Sequence, residues 1–435
     1  MQKTMMKFLL IIFTAFFTSS CSNAVTPKIL NENLINTSHL DNLYKEIVIG
    51  QDTVGVIQIY ADYPSYEPVP AAGEGIAAVD DAARAGVLYW QLYKNTNKKE
   101  YLNKVKMLTK FMFVMQRGSG WFYNFVFSDG SINRTGTTSE AIPSWWTWRA
   151  FWFLSSLSNN QKVFPSEFNT KIKAAVRKSF IAIRNKYIHL SKDYIIRGGL
   201  RLPNWLPSGH AYDQTSVLIL GLANYYKTFG DEDALDLINL FSDGLVNAQV
   251  KSDSLLSNGA FLSWENLWHA YGNSQSYALL TAYTITANHN YLTAALDEIN
   301  IFYPKLINEL YLSSFNVVKS GDVYSINDRE KYSQIAYDIR PMVWASLKAY
   351  EITGKNKYAE RAGLIGSWLF GNNAAQKQMY FKETGICFDG INNASSVNKN
   401  SGAESTIECL LSLIKIQQNG NALNELKSGM NKISR

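Results

Sequence analysis

A break of one shape returns along this chain at a spacing of about 64 residues, and that recurrence limits the fold more than any other feature. It occurs at Leu92-Tyr93-Lys94-Asn95-Thr96 up to Tyr101 and at Tyr226-Lys227-Thr228-Phe229-Gly230. It returns at Tyr283-Thr284-Ile285-Thr286 up to Tyr291, and at Tyr350-Glu351-Ile352-Thr353-Gly354 up to Tyr358. Each break ends one apolar-periodic stretch and starts another, and Ser155 to Asn160 supplies the turn missing from the first double gap. Apolar residues at i, i+3, i+4 with Gly, Asn and Pro breaks predict helices near 36–47, 74–94, 98–117, 142–158, 165–189, 210–229, 231–249, 269–287, 290–312, 333–353, 356–371 and 402–418. Twelve helices make six hairpins, an all-α chain. Val54 to Tyr60 alternates like a short strand, and Trp121 to Phe127 does so less clearly; both read as small hairpins on the helical body.

Connections alternate in length. Those at 95–97, 159–164, 288–289 and 354–355 are short, whereas 118–141, 190–209, 250–268, 313–332 and 372–401 are long. Long ordered loops in compact helical folds usually carry function. If the hairpins close into a double ring, all inner helices run one way, and the long loops gather on one crown at the inner N-termini.

The chain divides into four parts: 1–21, a linker 22–35, the helical body 36–420 and a tail 421–435. Lys3 and Lys7 precede the apolar run Phe8 to Phe17, then Thr18-Ser19-Ser20 lead into Cys21. This reads as an export signal with Cys21 as its lipidation site, which predicts a protein of the periplasm, outer membrane or cell surface, held to the membrane only through that lipid. A core helix is the poorer reading, because the run is short and terminal. Removing it takes two of the 42 basic residues and none of the 36 acidic ones, leaving +4. No Lys/Arg block stands out, so the charge argues against a nucleic-acid binder. Cys387 and Cys409 then remain, read as buried thiols rather than a disulfide. A monomer is expected.

Polar and aromatic residues concentrate where the inner helices start. Asp80 and Asp81 open the first, and Ser144-Trp145-Trp146-Thr147-Trp148-Arg149 the second. His210-Ala211-Tyr212-Asp213 opens the third, and Trp264-Glu265-Asn266-Leu267-Trp268-His269-Ala270-Tyr271 the fourth. Tyr337-Asp338-Ile339-Arg340 opens the fifth, and Asn400-Ser401-Gly402-Ala403-Glu404 the sixth. Each acid alone reads equally as a cap, each Trp as core, and each His as a satisfied core residue. Outer helices also start with acids, at Lys98-Lys99-Glu100, Pro165-Ser166-Glu167 and Asp231-Glu232-Asp233, but not under long loops.

Carboxylates among aromatics suit sugars: ring faces stack on a pyranose while acids and amides bond its hydroxyls. Glycosidic cleavage needs one carboxylic acid and one carboxylate. Asp80 and Asp81 are the expected base and its positioning partner, and Glu404 the expected acid. Trp121, Asn124, Trp145, Trp146, Arg149, His210, Tyr212, Asp213, Trp264, Glu265, His269, Tyr271, Tyr337, Asp338, Arg340, Asp389 and Asn400 are the expected substrate contacts.

Three stretches carry a family resemblance: Val79-Asp80-Asp81-Ala82-Ala83-Arg84-Ala85, Trp368-Leu369-Phe370-Gly371-Asn372-Asn373, and Cys387-Phe388-Asp389-Gly390 continuing to Asn398-Lys399-Asn400-Ser401-Gly402-Ala403-Glu404-Ser405-Thr406. Over most of 70–418 the chain resembles the six-hairpin glycosidase superfamily, and in these segments the toroid domains attached to bacterial family 4 glycosyltransferases. The resemblance implies an (α/α)6 barrel. A looser likeness to family 9 endoglucanases implies an early Asp base and Glu404 as acid. The leading expectation is an exported glycoside hydrolase that acts on an oligo- or polysaccharide with inversion. The alternatives are a polysaccharide lyase using His210-Ala211-Tyr212, His269-Ala270-Tyr271-Gly272-Asn273 or Arg340, and a non-catalytic glycan-binding lipoprotein. An epimerase would want paired His in one pocket. No cofactor is expected. Asp322, Asp328 and Glu330 lie in one loop that could hold Ca²⁺, but a solvated loop is the preferred reading and no metal is expected. Gly118-Ser119-Gly120 precedes an aromatic run rather than a phosphate-binding helix.

Overall fold

A computed structural model describes residues 33–160, 162–252 and 255–433. The signal and Cys21 lie outside them. The helices are α1 (Ser38–Leu43), α2 (Val79–Thr96), α3 (Lys99–Met115), α4 (Trp145–Leu157), α5 (Ser166–Tyr187), α6 (Tyr212–Phe229), α7 (Glu232–Asn247), α8 (Gln275–Thr286), α9 (His289–Asp297), α10 (Tyr303–Asn308), α11 (Ala336–Thr353), α12 (Asn356–Gly366), α13 (Ala403–Gln417) and α14 (Gly420–Ile433). Neighbour packing runs α2–α4–α6–α8–α11–α13 and back to α2, a closed inner ring of six. Each inner helix is followed by its outer partner, with α9 and α10 together forming the fourth. The chain is an (α/α)6 toroid.

The inner helices are apolar around most of their circumference. In α6 every residue from Tyr212 to Ala223 is buried, as expected of a helix enclosed by neighbours on both sides and an outer ring. Outer helices show one apolar stripe: α3 buries Val105, Leu108, Phe111, Met112 and Met115. Left-handed residues end four inner helices at Asn97, Gly230, Ala287 and Gly354, the same breaks that marked the repeat.

Six expectations change. The predicted helix 36–47 is only α1; Tyr44–Ile49 is a strand paired with Asp52–Ile57 through a two-residue turn. Its Ile47-Val48-Ile49 run is β-branched, and Gly50 takes the positive φ such a turn requires. The segment 421–435, expected as a tail, contains most of α14, which packs on α12 as the sixth outer helix. Gly363 makes that approach close, since a Cβ there would lie 2.1 Å from the Ala422 carbonyl. The predicted helix 269–287 begins only at Gln275; Leu267–His269 pairs instead with the strand Ser314–Ser320. The helix 290–312 is interrupted by one π turn at Glu298–Phe302, where the buried Glu298 accepts from the Phe261 amide and the Ser276 hydroxyl. Of Trp121 to Phe127, only Phe125–Val126 is strand, paired with Ala77–Ala78. The linker's end is docked, with Leu34 donating its amide to the Gln417 side chain. Cys387 and Cys409 are free, buried thiols.

Candidate active site

The seam where α13 closes on α2 carries the charge. The Ala77–Ala78 strand delivers the chain into α2, and Asn124 caps that helix. Its carbonyl accepts from the Val79 amide at 2.8 Å and its side-chain oxygen from the Asp80 amide at 3.2 Å. The start of α13 is fixed by Asp389, whose Oδ1 accepts from the Gly402 amide at 2.8 Å and the Ser405 hydroxyl at 2.5 Å. The Ala403 amide bonds the Ile59 carbonyl at 2.8 Å. These contacts set Asp80 and Asp81 opposite Glu404.

Between them lies Arg84, one turn along α2 and therefore on the same face as the Asp pair. Its guanidinium donates to Asp81 at 2.7 Å, to Glu404 at 2.9 Å and to Glu408 at 3.2 Å, and stands 3.9 Å from Asp80. Arg149 from α4 donates to Asp80 and, at 2.5 Å, to the Tyr337 hydroxyl. Arg340 from α11 donates to Glu408 at 2.6 Å. The Tyr337 ring underlies all three guanidiniums at 5.2–5.3 Å. Three permanent cations thus face four carboxyl groups (Asp80, Asp81, Glu404 and Glu408), and one bound proton makes the cluster neutral.

The environments say where that proton sits. Burial raises Asp81 to about 7 although Arg84 opposes it, and the charges of Asp80 and Glu404 add to the rise. Burial would raise Asp80 too, but Arg149 and Arg84 outweigh it and hold that carboxyl below its ordinary value. One group is held ionised and its sequence neighbour keeps a proton near neutrality, the separation that acid–base chemistry uses. Glu404 is the open member, with 44% of its side chain exposed against 7% for Asp81.

Above the cluster is a cleft of about 350 Å³. Among the expected residues, Asp80, Asp81, Asn124, Tyr337, Asp389 and Glu404 line it, with Tyr60, Phe125 and Ser405 unforeseen. Asn124 and Asp389 also hold the helix starts, so their first task is positioning. Arg149 joins the cluster from the side, with Trp145 packed under its guanidinium at 4.8 Å. A second group stands across the crown. The His269 Nε2 is 3.0 Å from Asp213, and the Tyr271 ring stacks on His269 at 3.7 Å between centroids. His210 meets Trp264 edge-on and lies 3.2 Å from Glu265.

Five expected contacts belong elsewhere. Trp121 packs edge-on against the buried Trp148. Trp146 is buried, its indole donating to the Phe122 and Glu140 carbonyls. Tyr212 is wholly buried in the core. Asp338 caps its own helix by accepting from the Ile335 amide at 2.8 Å, and burial holds its carboxyl well above the ordinary value. Arg340 is buried beneath Glu408. Asn400 sits on the rim, bonded to Asp62 and the Tyr63 amide. Sequence reasoning missed Arg84 and Glu408 as site residues. Their signal was a charge inside an apolar inner helix, in phase with an acid three or four residues earlier: Arg84 after Asp80-Asp81, Glu408 after Glu404. Among the described residues no group of three or more His, Cys, Asp or Glu is placed to hold a metal ion.

No protein-family model matches the sequence, and no curated protein sequence does. Solved structures do match in shape. Cellobiose 2-epimerase from Spirochaeta thermophila aligns at TM-score 0.58 and 11% identity, over 86% of this chain and 91% of that one. Cellobiose 2-epimerase from Bacillus thermoamylovorans aligns at 0.57 and 12%, over 86% and 95%. A D-mannose isomerase aligns at 0.53 and 13%, over 86% and 91%. At such identities the likeness speaks for fold, and the kinship of three segments with transferase-linked toroids rests on those motifs alone. The ring of six inner and six outer helices among the described residues, matched over most of its length, gives this chain an (α/α)6 toroid fold.

Proposed function

We propose that the protein is a glycoside hydrolase acting on an oligo- or polysaccharide, exported and lipid-anchored through Cys21. The observation that carries the reading is the Asp80–Asp81–Glu404 set on one guanidinium at the floor of an open cleft. Asp81 donates its proton to the glycosidic oxygen as that C–O bond breaks. Asp80 takes a proton from the water that attacks the sugar carbon. Glu404, the exposed carboxylate, faces the positive charge that spreads over the ring. This moves the acid from Glu404, where the sequence put it, to Asp81, because burial and like charge protect a proton there. One Asp80 oxygen is engaged by Arg149 and Arg84, which suits a fixed base better than a nucleophile and favours inversion.

The matched folds include sugar epimerases, so that activity is the natural competitor. Paired imidazoles are what it would want at the reacting centre, whereas the cleft over the carboxyl cluster is lined by carboxyl groups and His210 and His269 stand in the second group across the crown. Wild type, Asp81→Asn and Glu404→Gln are incubated with defined oligosaccharides and assayed for new reducing ends, ultraviolet-absorbing products and the anomer first released. New reducing ends without unsaturation are expected. Either carboxyl variant loses roughly 10²–10⁴-fold in kcat. Asp81→Asn keeps most activity on a dinitrophenyl glycoside, whose leaving group needs no proton. An unsaturated product means a lyase, and epimerised substrate without cleavage means an epimerase.

A further inference from the structure

Tyrosines stand exposed at two places on the crown. Tyr60 lines the cleft and is 48% exposed, and Tyr271 is 46% exposed. Their places in the ring are opposite. The segment around Tyr60 is bonded to the starts of both α2 and α13, through Ile59 to Ile76 and through Ile59 and Ala61 to Ala403 and Ser401. Tyr271 precedes α8, and its stacking partner His269 is tied to Asp213 in α6. In the ring order α2–α4–α6–α8–α11–α13, the α6/α8 seam is diametrically across from the α13/α2 seam.

The cleft floor runs from Tyr60 over Asp81, Glu404 and Asp80 to Tyr337, with Arg149 and Trp145 packed beside it. Gly272 then brings the backbone beside Tyr271 down onto this floor: a Cβ there would lie 3.0 Å from the Tyr337 hydroxyl and 3.3 Å from the Trp145 ring. Tyr271 is held as a platform should be: its ring lies on the His269 ring at an interplanar angle of 12°, and Asp213 fixes that imidazole in turn. A ring so braced loses little freedom on stacking against a sugar.

We infer that the crown carries a groove running across the full ring, with a sugar platform at each end, Tyr60 near the carboxyl cluster and Tyr271 beyond it, so that the substrate is a chain held on both sides of the cleaved bond and cut internally. This rests on the hydrolase reading for the cleavage but not for the binding. A terminal-acting enzyme closes one end of its site, whereas here each end presents an open aromatic face.

The test separates the two. Tyr60→Ala and Tyr271→Ala are made in wild type and in the Glu404→Gln background. The probes are cellohexaose, β-1,4-mannohexaose, xylohexaose and α-1,6-mannohexaose with their disaccharides, and the corresponding polymers. Binding is read by intrinsic fluorescence and affinity electrophoresis, and cleavage by product length from end-labelled hexasaccharide. The expected result is early release of mid-length products, with each Tyr→Ala change weakening hexasaccharide binding roughly tenfold. Disaccharide binding falls in at most one of the two variants. Tyr271→Phe, which keeps the ring, restores binding, and a structural role would not respond to ring retention with chain-length dependence. Binding that depends on both tyrosines without any turnover sinks the hydrolase reading and leaves the groove. Turnover releasing only terminal units, or unchanged hexasaccharide binding in both variants, overturns the groove and leaves the hydrolase. No binding and no turnover across the panel overturns both.

Discussion

Replacing Asp81 by Asn tests the electrostatics of the cluster without reference to any substrate. Asn keeps an oxygen for the 2.7 Å bond from Arg84 and has nearly the same volume. It also fixes the residue in the neutral form that the folded protein favours. Burial first, and then the charges of Asp80 and Glu404, raise the Asp81 carboxyl from 3.8 to about 7. The folded protein therefore holds a proton that the unfolded chain releases near 3.8. Between about pH 4 and pH 7 unfolding sets that proton free, so raising the pH lowers wild-type stability through this window and not beyond it. At about 1.36 kcal/mol per pH unit the loss amounts to about 4 kcal/mol, in order of magnitude, and Asp81→Asn does not suffer it. Urea unfolding of both proteins from pH 4 to pH 8.5 reads the difference directly. The curves should coincide near pH 4 and separate to about 4 kcal/mol in favour of the variant by pH 8. A constant difference across the range, or a variant less stable at pH 8, refutes the assignment of the proton. The same proton governs turnover, so wild-type activity should fall as pH rises through about 7.

Arg84→Met removes the one cation common to all four carboxyl groups, and urea unfolding at pH 7 should show a loss of about 3–5 kcal/mol. Gly75→Ala places a Cβ 2.3 Å from the Val126 carbonyl at a φ of +155°, where the chain turns into α2. A cost of about 1–3 kcal/mol in thermal unfolding is expected, with a further fall in kcat because Asp80 moves with the helix start. Cys387 and Cys409 are both wholly buried, so a thiol reagent such as Ellman's should label neither in the native protein and both after denaturation.

The ring was legible because its punctuation is backbone chemistry. Asn97, Gly230, Ala287 and Gly354 end inner helices in the left-handed conformation, and the tyrosines before them recur at the same helical position. Six hairpins were expected and six are present among the described residues, yet two errors offset each other. The run at 44–49 is a strand that a helical pattern also fits, and α14 was passed over because few of its residues are apolar, with Ala422, Leu423 and Leu426 buried against α12. The acids of the site were legible from their helix starts. Arg84 and Glu408 were not, because i, i+4 spacing within one helix says nothing of the partner helix that brings Glu408 to Arg84. Trp146 and Tyr212 misled for the opposite reason: on a helix enclosed on every side, nearness to the crown in sequence does not distinguish a side chain that reaches the cleft from one turned into the wall.

Arg84 and Glu404 are 320 positions apart, and they meet only where the last inner helix docks on the first. Loop entropy makes so distant a contact slow and late, and until it forms the Asp pair has no partner across the cleft. Completing the carboxyl cluster is therefore the final event of assembly. A chain lacking its last seventy or so residues would already stack most of its hairpins and still leave Arg84 without Glu404 and Glu408.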